Sequence, residues 1–297
     1  MIKILLDSGA YSAWTLGIKI KPSKYIEYVK ANLHLLELYV SLDVIPGERG
    51  RRSADPDRIE RAAKKSYRNH QIMKDEGLTP TPVFHQDDRF YWLDRYLTDG
   101  ETYIALAPHG VHAHNIIGWL DQCFMHIGNA KVKVHGLGVS SAFLLRRYPF
   151  TSVDSNTWAQ QAGHGQILVP LYVGGRPDYS YRPLTVSVSE RSVMRSNHVD
   201  QLGPCKRQRV EQFLVEEVGV QLSTVRDDVS ARWRATITYF RELADNNNVQ
   251  LFFVTGLSRT MQQALMQCGA HRHLLSYLEL RKRGENALER YVEGQWK

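Results

Sequence analysis

The chain is expected to be an α/β protein, a (β/α)8 TIM-type barrel with a mostly helical insertion or subdomain in its C-terminal third. Three observations predict this. Short apolar, β-branched runs alternate with amphipathic stretches through the first two-thirds of the chain, the pattern of a parallel sheet covered by helices. Eight such runs can be counted, and most end in Gly, Pro, Asp or His, residues that stop strands. The length of 297 residues is also close to that of a single barrel domain, about 250 residues and upward.

The expected strands are Ile2–Leu6, Leu38–Leu42, Thr81–Phe84, Tyr103–Leu106, Val132–His135, Thr151–Val153, Ile167–Val173 and, late in the chain, Val249–Val254. Between them lie helical patterns. Residues 22–36 place Tyr25, Val29, Leu33 and Leu36 on one stripe. The next helix opens at Asp55-Pro56, a capping residue followed by a first-turn proline, and stops before Gly77. Residues 115–127 align Ile116, Ile117, Leu120, Phe124 and Ile127, and a short helix from Ser141 ends at Tyr148 because Pro149 follows. The alternation breaks at about Ser180. The expected organisation is a barrel core over 1–179, a charged helical insertion over 180–248 (helices at Arg207–Val218 and Val225–Asn246), and a closing strand with helices over 249–297.

Composition narrows the function classes. No apolar run is long enough to cross a membrane, and the opening Met1–Asp7 is too short and too charged for a signal peptide, so a cytoplasmic protein is expected. Cys123, Cys205 and Cys268 are too few and too scattered for a disulfide framework. A net charge of +7, from 38 Lys and Arg against 31 Asp and Glu, is compatible with a polyanionic partner.

The chemistry gathers at the strand ends, where a barrel carries its active site. They read Asp7-Ser8-Gly9, Ser41-Leu42-Asp43, His85-Gln86-Asp87, Ala107-Pro108-His109, His135-Gly136-Leu137-Gly138 and Ser152-Val153-Asp154-Ser155. An Asp after a strand is often a turn or cap residue. Asp7, Asp43 and Asp154 each end an apolar run, and charges held at a barrel mouth are costly unless paired or used. His135 fits either a pocket wall or a core histidine.

These motifs resemble a known family. Asp7-Ser8-Gly9-Ala10-Tyr11-Ser12 is similar to the Asp-Ser-Gly-Gly-Phe-Gln signature of tRNA-guanine transglycosylases. Ser41-Leu42-Asp43-Val44-Ile45-Pro46 resembles that family's base-recognising segment, and the stretch from His135 to Ser155 resembles the segment ending in its nucleophilic Asp. Ser152-Val153-Asp154-Ser155 followed by Trp158 is closer to the 7-deazaguanine DNA transglycosylase branch of phages and bacterial genomic islands. The resemblance covers roughly residues 1–165.

The resemblance implies exchange of guanine in DNA for a free 7-deazaguanine base, with Asp154 as nucleophile and Asp7 as general acid and base. Asp43 would accept from the guanine edge, Gln86 would donate to its carbonyl, and Tyr11 would stack on the ring. Ser8, His85, Leu106, His135, Gly136 and Trp158 complete the expected base site. Phosphate contacts are expected from Arg49, Arg51 and Arg52, from Arg146 and Arg147, and from Lys206, Arg207 and Arg209, although each cluster also fits a solvated face.

Two departures from the family stand out. Its zinc-binding Cys-x-Cys-x-x-Cys run is missing. Cys268-Gly269-Ala270-His271 has zinc-like spacing but lacks a full ligand set, so no cofactor and no metal are expected. Ile104-Ala105-Leu106-Ala107-Pro108 stands where the family has a Gly-Gly pair.

Alternatives are a zinc-less tRNA-guanine transglycosylase acting on tRNA, and a non-catalytic accessory subunit that binds nucleic acid. A barrel hydrolase for a small phosphorylated substrate lacks a recognised phosphate loop. A companion protein that opens duplex DNA fits the first reading.

Overall fold

The structure, a computed structural model, describes residues 3–109, 113–192, 197–255, 259–270, 272–284 and 286–293. In chain order the first elements are β1 (Lys3–Asp7), α1 (Ala10–Leu16), α2 (Pro22–Asn32), β2 (Leu36–Tyr39), β3 (Gly47–Glu48), β4 (Arg51–Arg52), α3 (Pro56–Asp75), β5 (Val83–His85), α4 (Phe90–Thr98), β6 (Tyr103–Ala107), α5 (Ala113–Ile127) and β7 (Lys133–Gly136). There follow α6 (Ala142–Arg147), β8 (Ser152–Ser155), α7 (Thr157–Gly163), β9 (Gln166–Val169), β10 (Leu171–Val173), β11 (Arg176–Asp178) and β12 (Leu184–Ser187). The last are α8 (Pro204–Gln212), α9 (Leu222–Asp227), α10 (Val229–Asn246), β13 (Gln250–Val254), α11 (Arg259–Gln267), β14 (Arg272–Ser276), α12 (Tyr277–Lys282) and α13 (Ala287–Val292).

The chain divides into two compact units, the first made of Met1–Gly138, Phe150–Val153 and Arg272–Lys297, the second of Val139–Pro149 and Asp154–His271. These divisions fall at other places than residues 179 and 248.

The first unit is mixed α/β around parallel strands. β14 pairs with β1, from Lys3↔Arg272 to Asp7↔Ser276, and β1 pairs with β2 through Leu5↔Leu38 and Leu6↔Tyr39. A second run pairs β5 with β6, β6 with β7, and β7 with the start of β8 through His135↔Ser152 and Gly136↔Val153, all parallel. The two runs join just beyond β2. Val40 and Thr81 form a parallel bridge, the Ser41 N–H donates to the Thr81 carbonyl at 2.8 Å, and the Thr81 N–H donates to the Tyr39 carbonyl at 2.8 Å.

The strands are continuous apolar runs because both faces are covered. Ile4, Leu5 and Leu6 in β1, and Ile104, Ala105 and Leu106 in β6, are all buried. The helix signals hold for α3: the Asp55 carboxylate accepts the Asp57 N–H at 2.9 Å, Pro56 opens the helix, and Gly77 follows it in the left-handed region. The short helices α1 and α4 carried no start signal of that kind in the sequence.

The second unit is built on α10. Its Ala235, Ile237, Phe240 and Leu243 are buried, and Trp158 of α7 is fully buried edge-on to Trp233 and Phe253. The Trp158 indole N–H donates to the Val254 carbonyl at 3.0 Å. The Arg232 guanidinium is buried in this core and donates to the carbonyls of Ala162, Val225 and Arg226 at 2.9, 2.8 and 3.0 Å. It thereby supplies a donor to carbonyls in the last turns of α7 and α9, although the Ala162 carbonyl also accepts the Gly165 N–H at 3.1 Å. Among the described residues the stretch 180–248 is mostly helical and also carries β12.

One expected strand needs correction. The run Ile167–Val173 is split at Pro170 into β9 and β10, and neither belongs to the parallel set. β9 pairs antiparallel with β12, and β10 pairs antiparallel with β11. Pro170 has no N–H to give a ladder, so a strand ends there. The strand beside β1 is instead β14, whose sequence Arg-His-Leu-Leu-Ser shows no alternation that marks it. Among the described residues no helix is long and apolar enough to cross a membrane.

Candidate active site at the strand ends of the first unit

Strand β1 delivers Asp7 at its last position and Ser8 just beyond; the chain leaves β2 at Tyr39 and runs on through Ser41 to Asp43; β5 ends at His85, with Gln86, Asp87 and Asp88 following. Ser8, Asp43, His85 and Asp88 are all buried, and Asp7 is half-buried.

The Asp43 carboxylate is the centre of this group. Its Oδ1 accepts the Ser8 hydroxyl at 2.7 Å, and its Oδ2 lies 2.9 Å from His85 Nε2. Burial alone would raise the Asp43 carboxyl. The hydrogen bond and charge of His85, helped by the Ser8 hydroxyl, outweigh it and hold the carboxyl below the ordinary carboxylate range. Ser8 Oγ also accepts the Ala10 N–H at 3.1 Å, which ties the start of α1 to the same carboxylate. The His85 backbone N–H donates to Asp88 Oδ2 at 3.1 Å. Burial pushes the Asp88 carboxyl up, against the opposing pull of His85 and Arg52.

A second set lies alongside. Arg52 of β4 donates through Nε to Asp87 Oδ2 at 2.7 Å, and His109 Nε2 is 2.7 Å from the same oxygen. Burial and the Arg52 charge lower the His109 imidazole below its ordinary value, with Asp87 opposing. The His109 backbone N–H donates to Gln86 Oε1 at 2.8 Å. That bond fixes the oxygen end of the Gln86 amide and leaves its NH2 as the donor end.

Sequence reasoning missed the groups that hold Asp43 in place. Three buried polar residues of α3 grip the segment around it, Ser66 and Asn69 through its backbone and His70 through the Ser41 hydroxyl. Asn69 Nδ2 donates to the Leu42 carbonyl at 2.8 Å, Ser66 Oγ accepts the Val44 N–H at 2.8 Å, and His70 Nδ1 lies 2.7 Å from Ser41 Oγ. The other nitrogen of His70 is 2.9 Å from Glu101, which also takes Lys74. The signal was present: Ser66, Asn69 and His70 share the stripe of Ala62, Ala63 and Met73, where a helix normally puts only apolar groups.

Other expected site residues fall differently. Tyr11 is 67% exposed, with its ring 5.7 Å from that of Trp14. Leu106 is fully buried, and its carbonyl accepts the Leu137 N–H at 2.9 Å. His135 is buried with Nδ1 at 2.6 Å from Ser152 Oγ, which in turn is 2.8 Å from the Tyr103 hydroxyl, and Gly136 is buried beside it in β7.

In the second unit Asp154 is buried within β8, and Trp158 sits in the core described above. Of the basic clusters, Arg49 and Arg51 are exposed on the β3–β4 hairpin while Arg52 is drawn to Asp87. Arg146 donates to the Ser180 carbonyl, and the Arg147 guanidinium lies over the Tyr148 ring. Arg207 pairs with Glu211 at 3.1 Å, and on the same helix Lys206 is exposed and Arg209 half-buried. Cys268 is buried and Cys205 exposed, while His271 lies outside the described residues. Among the described residues no group of three or more His, Cys, Asp or Glu is placed to hold a metal ion.

No protein-family profile and no curated protein matches the chain. Among solved structures it is similar to octameric ribulose-1,5-bisphosphate carboxylase/oxygenase (Rubisco) from Pyrococcus horikoshii OT3, in a form-2 crystal with sulfate ion and in a form-1 crystal, each at 11% identity and a TM-score of 0.38. The match covers 99% of this chain and 59% and 60% of those chains, so this chain spans about three-fifths of their length. A likeness at that level carries no argument about function.

Proposed function

We propose that the protein exchanges guanine in DNA for a free 7-deazaguanine base, on a (β/α)8-type barrel. The observation that carries the reading is the Asp43 carboxylate, buried at the strand ends and held ionised by Ser8 and His85. An ionised carboxylate accepts about four hydrogen bonds. Ser8 and His85 take two and the Asp43 backbone N–H a third, so capacity remains for a donor of a guanine edge. Gln86, with its oxygen already engaged by His109, offers its NH2 to the base carbonyl. The joining of the two strand runs at Val40 and Thr81 supports the barrel reading.

The steps follow the resemblance. The Asp154 carboxylate attacks the anomeric carbon as the bond to guanine breaks, and the departing ring nitrogen takes a proton from Asp7. The result is a glycosyl ester on Asp154. The incoming base then gives its ring proton to Asp7 and displaces Asp154, so configuration is retained over two displacements. The target base must leave the stack, which costs a few kcal/mol in duplex DNA.

The test is incorporation of labelled guanine or 7-deazaguanine into double-stranded DNA and bulk tRNA offered in parallel. Label in DNA that is lost in Asp154→Ala supports the proposal. Label in tRNA alone transfers it to the RNA enzyme. Exchange unchanged in Asp154→Ala overturns the nucleophile assignment, and a protein that binds DNA without exchange with or without a companion protein is an accessory subunit.

A further inference from the structure

A cleft of about 400 Å³ opens in the first unit, lined by α1, the turn after it, the loop carrying Asp43, the β3–β4 hairpin and α3. That volume lies within the range of small-ligand sites, about 300–1,000 Å³. Its walls are of two kinds. Trp14, Ile18 and Ile45 make an apolar side, and Lys19, Arg49 and Lys65 bring cations to it. None of these three cationic side chains has a hydrogen-bond or ion-pair partner among the described residues. The Trp14 indole N–H is likewise buried without a partner among them. Asp43 and Glu48 also line the cleft, but Asp43 is engaged by Ser8 and His85.

The backbone is specialised to place Arg49. The hairpin pairs Gly47 with Arg52 and Glu48 with Arg51, which leaves Arg49 and Gly50 as a two-residue turn. Both have positive φ, +48° and +77°, the pattern of a type I′ turn, whose first position favours Asn or Gly over Arg. Backbone strain of this kind persists where the side chain has a use. Gly17, at φ +68°, makes room for it: a Cβ there would lie 3.1 Å from Arg49 Cγ and 3.3 Å from Nε. The Arg49 stem therefore lies against the end of α1 at the cleft.

We propose that this cleft binds a nucleotide unit, with the base against Trp14 and the isoleucines and the phosphate among Lys19, Arg49 and Lys65. A flat base covers the apolar wall and offers ring acceptors to the indole N–H. A phosphate matches the unpaired cations, with Arg49 able to bond it in a fork. A sugar phosphate would leave the apolar wall wet, and an uncharged aromatic would leave the cations unused. The source is either a free nucleotide or a nucleotide flanking the target within a strand. Only the strand arm rests on the function proposed above.

The test is binding of 5′-guanylate, guanosine, inorganic phosphate and a short single-stranded oligodeoxynucleotide to the full chain by calorimetry. The nucleotide or the oligonucleotide should bind at least about tenfold more tightly than guanosine or phosphate, and Arg49→Ala and Lys65→Ala should each weaken that binding by about tenfold. Thermal unfolding of both variants should stay close to the parent, since neither side chain has a hydrogen-bond or ion-pair partner to lose among the described residues. Trp14→Phe should abolish the tryptophan fluorescence change on binding. Tight oligonucleotide binding alone identifies the strand as the source, and tight binding of both admits the free nucleotide. Equal affinity for guanosine, no binding of either nucleotide form, or binding unchanged in Arg49→Ala overturns the proposal. Nucleotide binding without base exchange leaves this inference standing and removes the exchange reading; exchange with binding indifferent to Arg49 and Lys65 does the reverse.

Discussion

His85 Nε2 stands 2.9 Å from Asp43 Oδ2, across 42 residues of sequence and with both side chains nearly sealed from solvent. The pair joins β5 to the segment just beyond β2, and it helps to hold the Asp43 carboxyl below its ordinary value against burial. Removing one partner of such a pair leaves a buried charge without compensation. His85→Ala should therefore cost about 3 kcal/mol in urea unfolding at neutral pH. A cost under about 1 kcal/mol would mean that the pair is solvated after all.

The same pair sets an acid limb. The folded Asp43 carboxyl titrates below its ordinary value, so its contribution to stability is complete above the unfolded value of about 4 and is lost as pH falls through the lower folded one. In His85→Ala the strongest lowering partner is gone, and burial, which raises the carboxyl, is opposed only by the Ser8 hydroxyl and the Asp43 backbone N–H. Acid unfolding of the variant, followed by circular dichroism, should begin at higher pH than in the parent. An unchanged midpoint would remove Asp43 from that transition.

Asn69 and Leu42 offer a third check. Asn69→Ala deletes the donor to a buried carbonyl next to Asp43, which should cost about 1–3 kcal/mol. If the clamp positions Asp43, base exchange should fall in a protein that is still folded, while Asn69→Asp, which has no donor, should not restore it.

Gly47 is a backbone requirement. Its φ is +100°, and a Cβ would lie 2.0 Å from the Arg51 carbonyl oxygen and 2.8 Å from the Ser53 nitrogen. Gly47→Ala must open the β3–β4 hairpin and release Arg52 from Asp87. Limited proteolysis should then cut near residues 47–52 in the variant and not in the parent.

Arg232 holds the second unit. Arg232→Ala removes the guanidinium donor from the Val225 and Arg226 carbonyls, leaves the Ala162 carbonyl to the Gly165 N–H, and opens a gap in the core, a loss of about 3 kcal/mol or more. Lys at this position carries the charge without the fork, so Arg232→Lys should recover only part of the loss in thermal unfolding.

Much of the architecture was legible along the chain, because strand and helix signals are properties of neighbouring residues. The apolar runs of β1 and β6, the Asp55-Pro56 opening of α3 and the stop at Gly77 needed no partner to be read. The strand-end positions of Asp7 and His85 were legible for the same reason, whereas Asp43 lies beyond the end of β2 and Asp154 within β8. Partnership was not. The bond between Asp43 and His85, the 35-residue reach from Arg52 to Asp87, and the grip of Asn69 on Leu42 depend on which strands and helices lie side by side. The parallel strand of Arg272–Ser276 was hidden because its pattern is weak and its stability comes from β1 beside it, while Ile167–Val173 looked like a strand of that set until Pro170 and the antiparallel partner β12 divided it. Sequence by itself determined where chemistry sits on each strand, since local periodicity and turn residues decide that. Only the tertiary structure decided which groups share a hydrogen bond, since that follows from register between distant segments and from the burial that makes an unpaired charge too costly to leave alone.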